Sequence, residues 1–328
     1  MTNRMVQIQA IAGKEIRDAV RSHVIIAMAG FLVLAAMVAL AVSGIVLHGD
    51  VLAYNEGRDQ LIALGQSADS LPPPAFFPLK LLRGFIEQIE IIGAVLGIVL
   101  GYRAAAIERG RNTLALAMTR PLSQATYLLG KLGGNMVLIV ASLATAFLTG
   151  IVAIMVVGGV VLSAEDYLRV FLSFIAASFY TGSFFVLGLL LALHLRRLPH
   201  ALLYAFAIWL TLVLVSPQIG DTLDPDNQIA GGVFKKLGIA KPQEKQILAS
   251  FANYENIRNG IEEASPAKHF ERLTFALTGI KDIYNGVAIW PILIEKLRDV
   301  WSLIGIFAGL TLLLFWRRID FTRLSTEI

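Results

Sequence analysis

Few residues of this chain are equipped for chemistry. Glu87 and Glu90 stand three apart in an otherwise apolar stretch, a spacing that sets both carboxylates on one helix face. Ionisable groups at such a place are costly and by default mark a functional site. At low dielectric their repulsion would keep one of them protonated. Two readings stay open: they line the vestibule of a pathway, or they are shallow, hydrated groups paired with Arg83. The five histidines show neither His-x-x-x-His nor His-Glu-x-x-His spacing. Cysteine is absent, which removes thiolate ligands and thiol nucleophiles. No metal ligand and no catalytic residue is assigned. Gly130-Lys131-Leu132-Gly133-Gly134 lacks the upstream glycine and the hydroxyl of a phosphate-cradling loop, so no cofactor is expected on this chain.

A second group of residues is built for contact. Glu108-Arg109-Gly110-Arg111-Asn112-Thr113 leads into Leu114 to Thr119 and then Arg120-Pro121-Leu122-Ser123. Gly110 interrupts the chain, and Asn112 or Thr113 can cap a short helix by accepting orphan backbone N–H bonds. Pro121 disfavours helical geometry at Arg120. Ser123 can cap the helix that follows, which begins Tyr127-Leu128-Leu129-Gly130-Lys131. A compact charged helix between sharp breaks exceeds the roughly 2–8 residues that a plain connector needs. Nearer the start, Ile8, Ile11, Ala12, Ile16, Ala19 and Val20 share one helical face, and Gln7, Lys14, Arg17, Asp18 and Arg21 share the other. Such a basic amphipathic helix is expected to lie in a membrane interface. It is either an anchor or a lever against a soluble partner, with Glu15, Arg17 and Arg21 turned to the cytoplasm.

The elements that must position these residues follow from composition. Of 328 residues, 56% are hydrophobic and 16% charged, against about 45–50% and 25% in a soluble domain. That excess excludes disorder and a soluble enzyme. The net charge of +4 is explained by sidedness in a membrane before nucleic acid is invoked, so no nucleic acid is expected. A span needs about 20 apolar residues, and six runs qualify: Val24 to Leu47, Phe85 to Ala105, Leu132 to Val161, Leu168 to Leu193, Ala201 to Val215 and Leu297 to Trp316. The fifth is fenced by Pro199 and Pro217. With the N-terminus inside, the inner segments hold roughly fourteen lysines and arginines and the shorter outer ones about four, a positive-inside bias. The expected fold is all-α: a polytopic cell-membrane protein with six transmembrane helices, both termini cytoplasmic. Residues 1–23 form the interface helix. Residues 24–216 carry the first five spans, with an inner loop at 106–124 and an outer loop at 48–84. Residues 217–296 make a helical extracytoplasmic or re-entrant loop, and 297–328 the sixth span and a cytoplasmic tail. Within the large loop a helix is expected from Gln243 to Glu263, then a helical pair over Phe270 to Ile294.

The order of these parts resembles ATP-binding-cassette exporter permeases of type 2. The specific likeness lies in Glu108 to Lys131, with its Pro121-Leu122-Ser123 step and Gly130-Lys131. Ser265-Pro266-Ala267-Lys268-His269-Phe270 is similar to an outer Ser–Pro step of that family. Asn112 stands where the family usually has glycine, and Gln124 where arginine is common. The resemblance implies that the inner loop is a coupling helix docking in a groove of a separate ATPase subunit. Glu108, Arg109, Arg111, Asn112, Thr113, Leu116, Arg120 and Pro121 would be the coupling residues, and Glu15, Arg17 and Arg21 a further contact. It also implies pairing with a second permease copy or a paralogue, with ATP and Mg held by the ATPase subunit. Membrane lipid surrounds such a chain, and the large outer loop leaves room for an extracytoplasmic accessory protein. Two rivals stand beside it. One is an ion-coupled secondary transporter or channel using Glu87 and Glu90. The other is a membrane scaffold or assembly factor without transport. A mainly apolar pathway leans toward a lipid, an amphiphile or a peptide as cargo.

Overall fold

Apolar runs without a breaker become long helices, and that rule accounts for most of the computed structural model. It describes residues 2–64, 77–110, 122–223, 233–239, 243, 246–247 and 252–319. Helix α1 is Thr2–Arg21. The chain turns at His23, whose φ of 59° is left-handed, and enters α2, Val24–Ala63. At 40 residues, α2 is about 60 Å long, twice the roughly 30 Å of a hydrocarbon core. The outer loop expected from residue 48 is therefore helical as far as Ala63. No proline lies between His48 and Ala63, so nothing stops the helix where the apolar run ends.

The second span is composite. A 3-10 turn, Pro78–Leu82, leads to α3, Arg83–Gln88, a π-helical segment, Ile89–Gly93, and α4, Ala94–Gly110. The third span is α5, Gln124–Gly158, capped by the Ser123 hydroxyl, which accepts the Thr126 N–H at 3.2 Å. The fourth is α6, Ala164–His194, opened by a capping box of Ser163 and Asp166. The fifth runs on through Pro217: α7, Leu198–Trp209, a π segment, Leu210–Val215, and α8, Ser216–Leu223. Pro217 has no N–H for the helix ladder, and the wider π turn before it takes up that loss. After a single turn at Val233–Lys236 come α9, Ala252–Glu263, α10, Pro266–Leu277, α11, Ile289–Glu295, and the sixth span α12, Leu297–Trp316. Six helices are long and apolar enough to cross a membrane, and no strand occurs among the described residues.

The core is the pair α4 and α6. The buried share is 67% in the fourth span and 56% in the second, but 17% in the fifth and sixth, so the last two present apolar faces outward. Glycine makes the central contact. A Cβ on Gly97 would lie 2.4 Å from the Thr181 carbonyl oxygen, one on Gly101 2.1 Å from that of Phe185, and one on Gly188 2.5 Å from that of Ile98. Close backbone approach is how helices associate where lipid tails are as apolar as leucine. At the end of the bundle opposite α1, α10 is buried along most of its length. Phe270 stacks on Tyr180 at 4.9 Å between centroids. The two nitrogens of His269 meet Asp299 Oδ1 at 2.7 Å and the Glu263 carbonyl at 3.0 Å, tying α9, α10 and α12 together.

Gly101→Ala forces a methyl into the Phe185 carbonyl. Overpacking of this kind costs about 1–3 kcal/mol, so the thermal unfolding midpoint in detergent is expected to fall. Gly133→Ala is the control, because a Cβ there meets nothing within 4 Å. Equal midpoints for the two variants would contradict the α4–α6 seam.

Candidate functional site

Tyr127, Lys131 and Asn135 follow one another at four-residue steps and so share a face of α5. Gly130 and Gly134 flank that face and admit α1. A Cβ on Gly130 would sit 2.6 Å from Ile11 Cβ, and one on Gly134 2.7 Å from the Ala12 carbonyl oxygen. The last turns of α4 close the third side with Arg103, Ala104 and Glu108.

Lys131 has no exposed surface. Its ammonium reaches Glu15 Oε1 at 2.7 Å, the Ala104 carbonyl at 2.5 Å and Glu108 Oε2 at 3.2 Å, one acceptor for each N–H. Glu108 takes the Tyr127 hydroxyl at 2.6 Å and Lys14 at 2.5 Å. Asn135 donates to Glu15 at 3.2 Å and to the Lys131 carbonyl at 2.9 Å. Arg103 donates to the Asp18 carbonyl at 3.2 Å. Two lysines thus face two glutamates with no net charge. Burial pulls Lys14 down, but the hydrogen bond and charge of Glu108, with Glu15 and Asp18 behind, hold it above the ordinary lysine value. The cleft among these residues is about 20 Å³, room for one water and none for an organic ligand. The cluster is a latch between helices.

Arg109 points the other way. It is 5% exposed and donates to the carbonyls of Ala192 at 2.7 Å, Leu195 at 2.8 Å and Arg196 at 2.6 Å, that is, to the last turn of α6, its C-cap and the residue after it.

The sequence-derived site residues divide accordingly. Glu108 is brought together with Glu15, which is 8% exposed and turned toward Lys131. Glu15 follows Ile8 by seven residues and precedes Ala19 by four, so it lies in the middle of the face that docks. Arg17 and Arg21 are exposed. Arg111, Asn112, Thr113, Leu116, Arg120 and Pro121 lie outside the described residues. Glu87 and Glu90 are in neither cluster: Glu87 pairs with Arg83 at 3.0 Å, and the Glu90 carbonyl accepts the Tyr180 hydroxyl at 2.7 Å. Sequence reasoning gave no role in this site to Lys14, Tyr127, Lys131 or Asn135. The signal was there in the polar residues repeating every fourth position beside two glycines.

The profile of the family described as "ABC-2 family transporter protein" matches residues 9–318, a range that contains every residue of the latch. No curated protein is similar enough to the chain to count as a match.

Replacing Lys131 by Gln leaves two buried carboxylates short of a partner, and breaking a buried pair costs about 3–5 kcal/mol. Glu15→Gln with Lys131→Gln should cost less than the two single changes summed, by about 1–3 kcal/mol, in unfolding experiments in detergent. Strict additivity would mean that the pair does not interact. Because Lys14 is held above its ordinary value, its contribution is fully present below the unfolded-state value of about 10.4. It is lost only as pH rises through the higher folded-state value. Amide exchange protection of α1, corrected for intrinsic rates, is therefore expected to stay level between about pH 7 and 9. Weakening in that window would count against the pairing.

Proposed function

The chain belongs to the ABC-2 transporter family, and on that footing we propose that it is the membrane-spanning permease subunit of an ATP-driven exporter. The observation that carries the reading is the family profile, which runs from within α1 to just beyond the sixth span. The α1 end of the bundle faces the cytoplasm, in keeping with the basic residues gathered there. Two separate ATPase subunits hold ATP and Mg and perform the hydrolysis, since the chain has no phosphate-binding loop of its own. A second permease copy or a paralogue completes the pathway.

The latch gives this reading a mechanical footing. Residues 111–121 follow closely on Glu108 and Arg109, whose side chains are bonded to α1, to α5 and to the end of α6. A push on that segment from a closing motor meets a rigid base and changes which side of the pathway is open, as a move between two discrete packings. Arg111, Asn112, Thr113, Leu116, Arg120 and Pro121 supply the motor contact, joined by the exposed Arg17 and Arg21. Glu108 and Glu15 act from inside the bundle.

Purified with its native membranes as source, the tagged chain is expected to bring an ATPase subunit in fixed ratio and to hydrolyse ATP as a complex. Arg111→Glu with Arg120→Glu should release the ATPase and leave the thermal midpoint of the permease unchanged. A chain that works alone, driven by an ion gradient after ATP is removed, would overturn the proposal in favour of the ion-coupled reading.

A further inference from the structure

Arg109 does something a motor contact cannot. The residue is 5% exposed, which leaves it little surface for a soluble subunit to touch. Three of its bonds, at 2.6 to 2.8 Å, go to backbone carbonyls, those of Ala192 in the last turn of α6 and of Leu195 and Arg196 just after it. The Ala192 carbonyl lies at the negative end of the α6 dipole, the other two belong to the bend that follows it, and a planar fork of donors fits several carbonyls at once where a lysine would not. Glu108, one residue earlier, is bonded in the opposite direction, to Lys14 of α1 and to Tyr127 and Lys131 of α5.

We propose that Arg109 is a positioning residue that makes the fourth span move with the segment that follows it. Adjacent side chains divide one displacement: Glu108 carries it to α1 and α5, and Arg109 carries it to α6. The glycine seam between α4 and α6 keeps their backbones side by side farther into the membrane, so the bundle holds together without Arg109. What Arg109 adds is the grip at the loaded end. This rests on the reading of residues 111–121 as the motor's contact, and the experiment is chosen to separate the two.

The chain has no cysteine, so spin labels can be placed by substitution in the full-length protein together with its ATPase. Gly133→Cys on α5 with Arg197→Cys after α6 reports the grip. Arg197→Cys with Arg317→Cys reports movement of the fourth span against the sixth. In the wild-type background the first distance is expected to be single and narrow, and unchanged between the ATP-free and the ATP–vanadate-trapped states. The second should shift by about 1–2 Å or more. In Arg109→Ala the ATPase stays bound and active, the first distance broadens or shifts on trapping, and the second loses its change. Arg109→Lys keeps the charge, reaches fewer carbonyls and should fall between.

Wild-type distances in both variants would overturn the proposal. So would loss of ATPase binding or hydrolysis in Arg109→Ala, which is the mark of a direct motor contact. If no ATPase accompanies the chain, the proposed function fails on its own. The ATP-free width of the first distance still decides the grip, because equal widths in wild type and Arg109→Ala overturn it.

Discussion

A lysine with no exposed surface has to be paired. The effective penalty for burying an ammonium is several kcal/mol, and at Lys131 it is met by two carboxylates and a backbone carbonyl from two other helices. Much else follows from that one requirement. Glu15 has to face inward, so α1 has to lie against α5. For the ion pair to close at 2.7 Å, the two backbones must come nearer than ordinary side chains permit, which is why Gly130 and Gly134 stand on either side of Lys131. Two glutamates around one lysine would leave a net negative charge, and Lys14 removes it. Asn135 then takes the Glu15 oxygen that Lys131 leaves open, and Tyr127 shares Glu108 Oε2 with Lys131.

The same logic governs the rest of the bundle, because the surroundings are lipid. Hydrophobic contact gives no preference for a neighbouring helix over an acyl chain. What remains is close backbone packing and polar bonds, and both are concentrated at a few places. The glycines of α4 and α6 make the first. The second appears wherever the helical ladder is disturbed. The π segment of the second span offers the Glu90 carbonyl to Tyr180, and that of the fifth offers the Leu212 carbonyl to Ser265 at 2.5 Å. A backbone group freed inside a membrane needs such a partner, and in both cases a hydroxyl on a neighbouring helix supplies it. The end of α6 is the same case on a larger scale, with Arg109 as donor.

How much of this could be read from the sequence depends on the range over which each cause acts. The six apolar runs and the Ser123 cap are local, and the structure has them where the pattern puts them. So are the helix that ends at Glu263, described from Ala252 where the pattern starts it at Gln243 with most of the residues between outside the described ones, and the α10–α11 pair, whose limits are shifted by a few residues. Helix α2 outran its apolar stretch because hydropathy marks where a membrane ends and says nothing of where a helix does. Pro217 reads as a fence because a breaker is judged against a regular α-helix, and a π turn relaxes that rule. The charges were harder. Glu15 and Lys131 are 116 positions apart, and a polar residue on a helical wheel is assigned to the wet side by default. Glu108 and Arg109 stand with the motor contacts because the family resemblance begins at Glu108, and their bonds to other helices are too long-range for a local motif to show. The six remaining coupling residues, from Arg111 to Pro121, lie outside the described residues.

The charges also explain why α1 belongs to the bundle at all. Met5, Val6 and Val20 remain exposed on it, and such a helix would be content at a membrane surface by itself. An apolar docking face alone would leave it nearly indifferent between protein and lipid. Glu15 removes that indifference, because its carboxylate is well placed only beside Lys131. Undocking α1 would cost Lys131 the Glu15 carboxylate, and shifting α4 would cost Lys14 and Tyr127 the Glu108 carboxylate. The cluster ties α1, α4 and α5 to one another, because each charge in it has its partner on another helix.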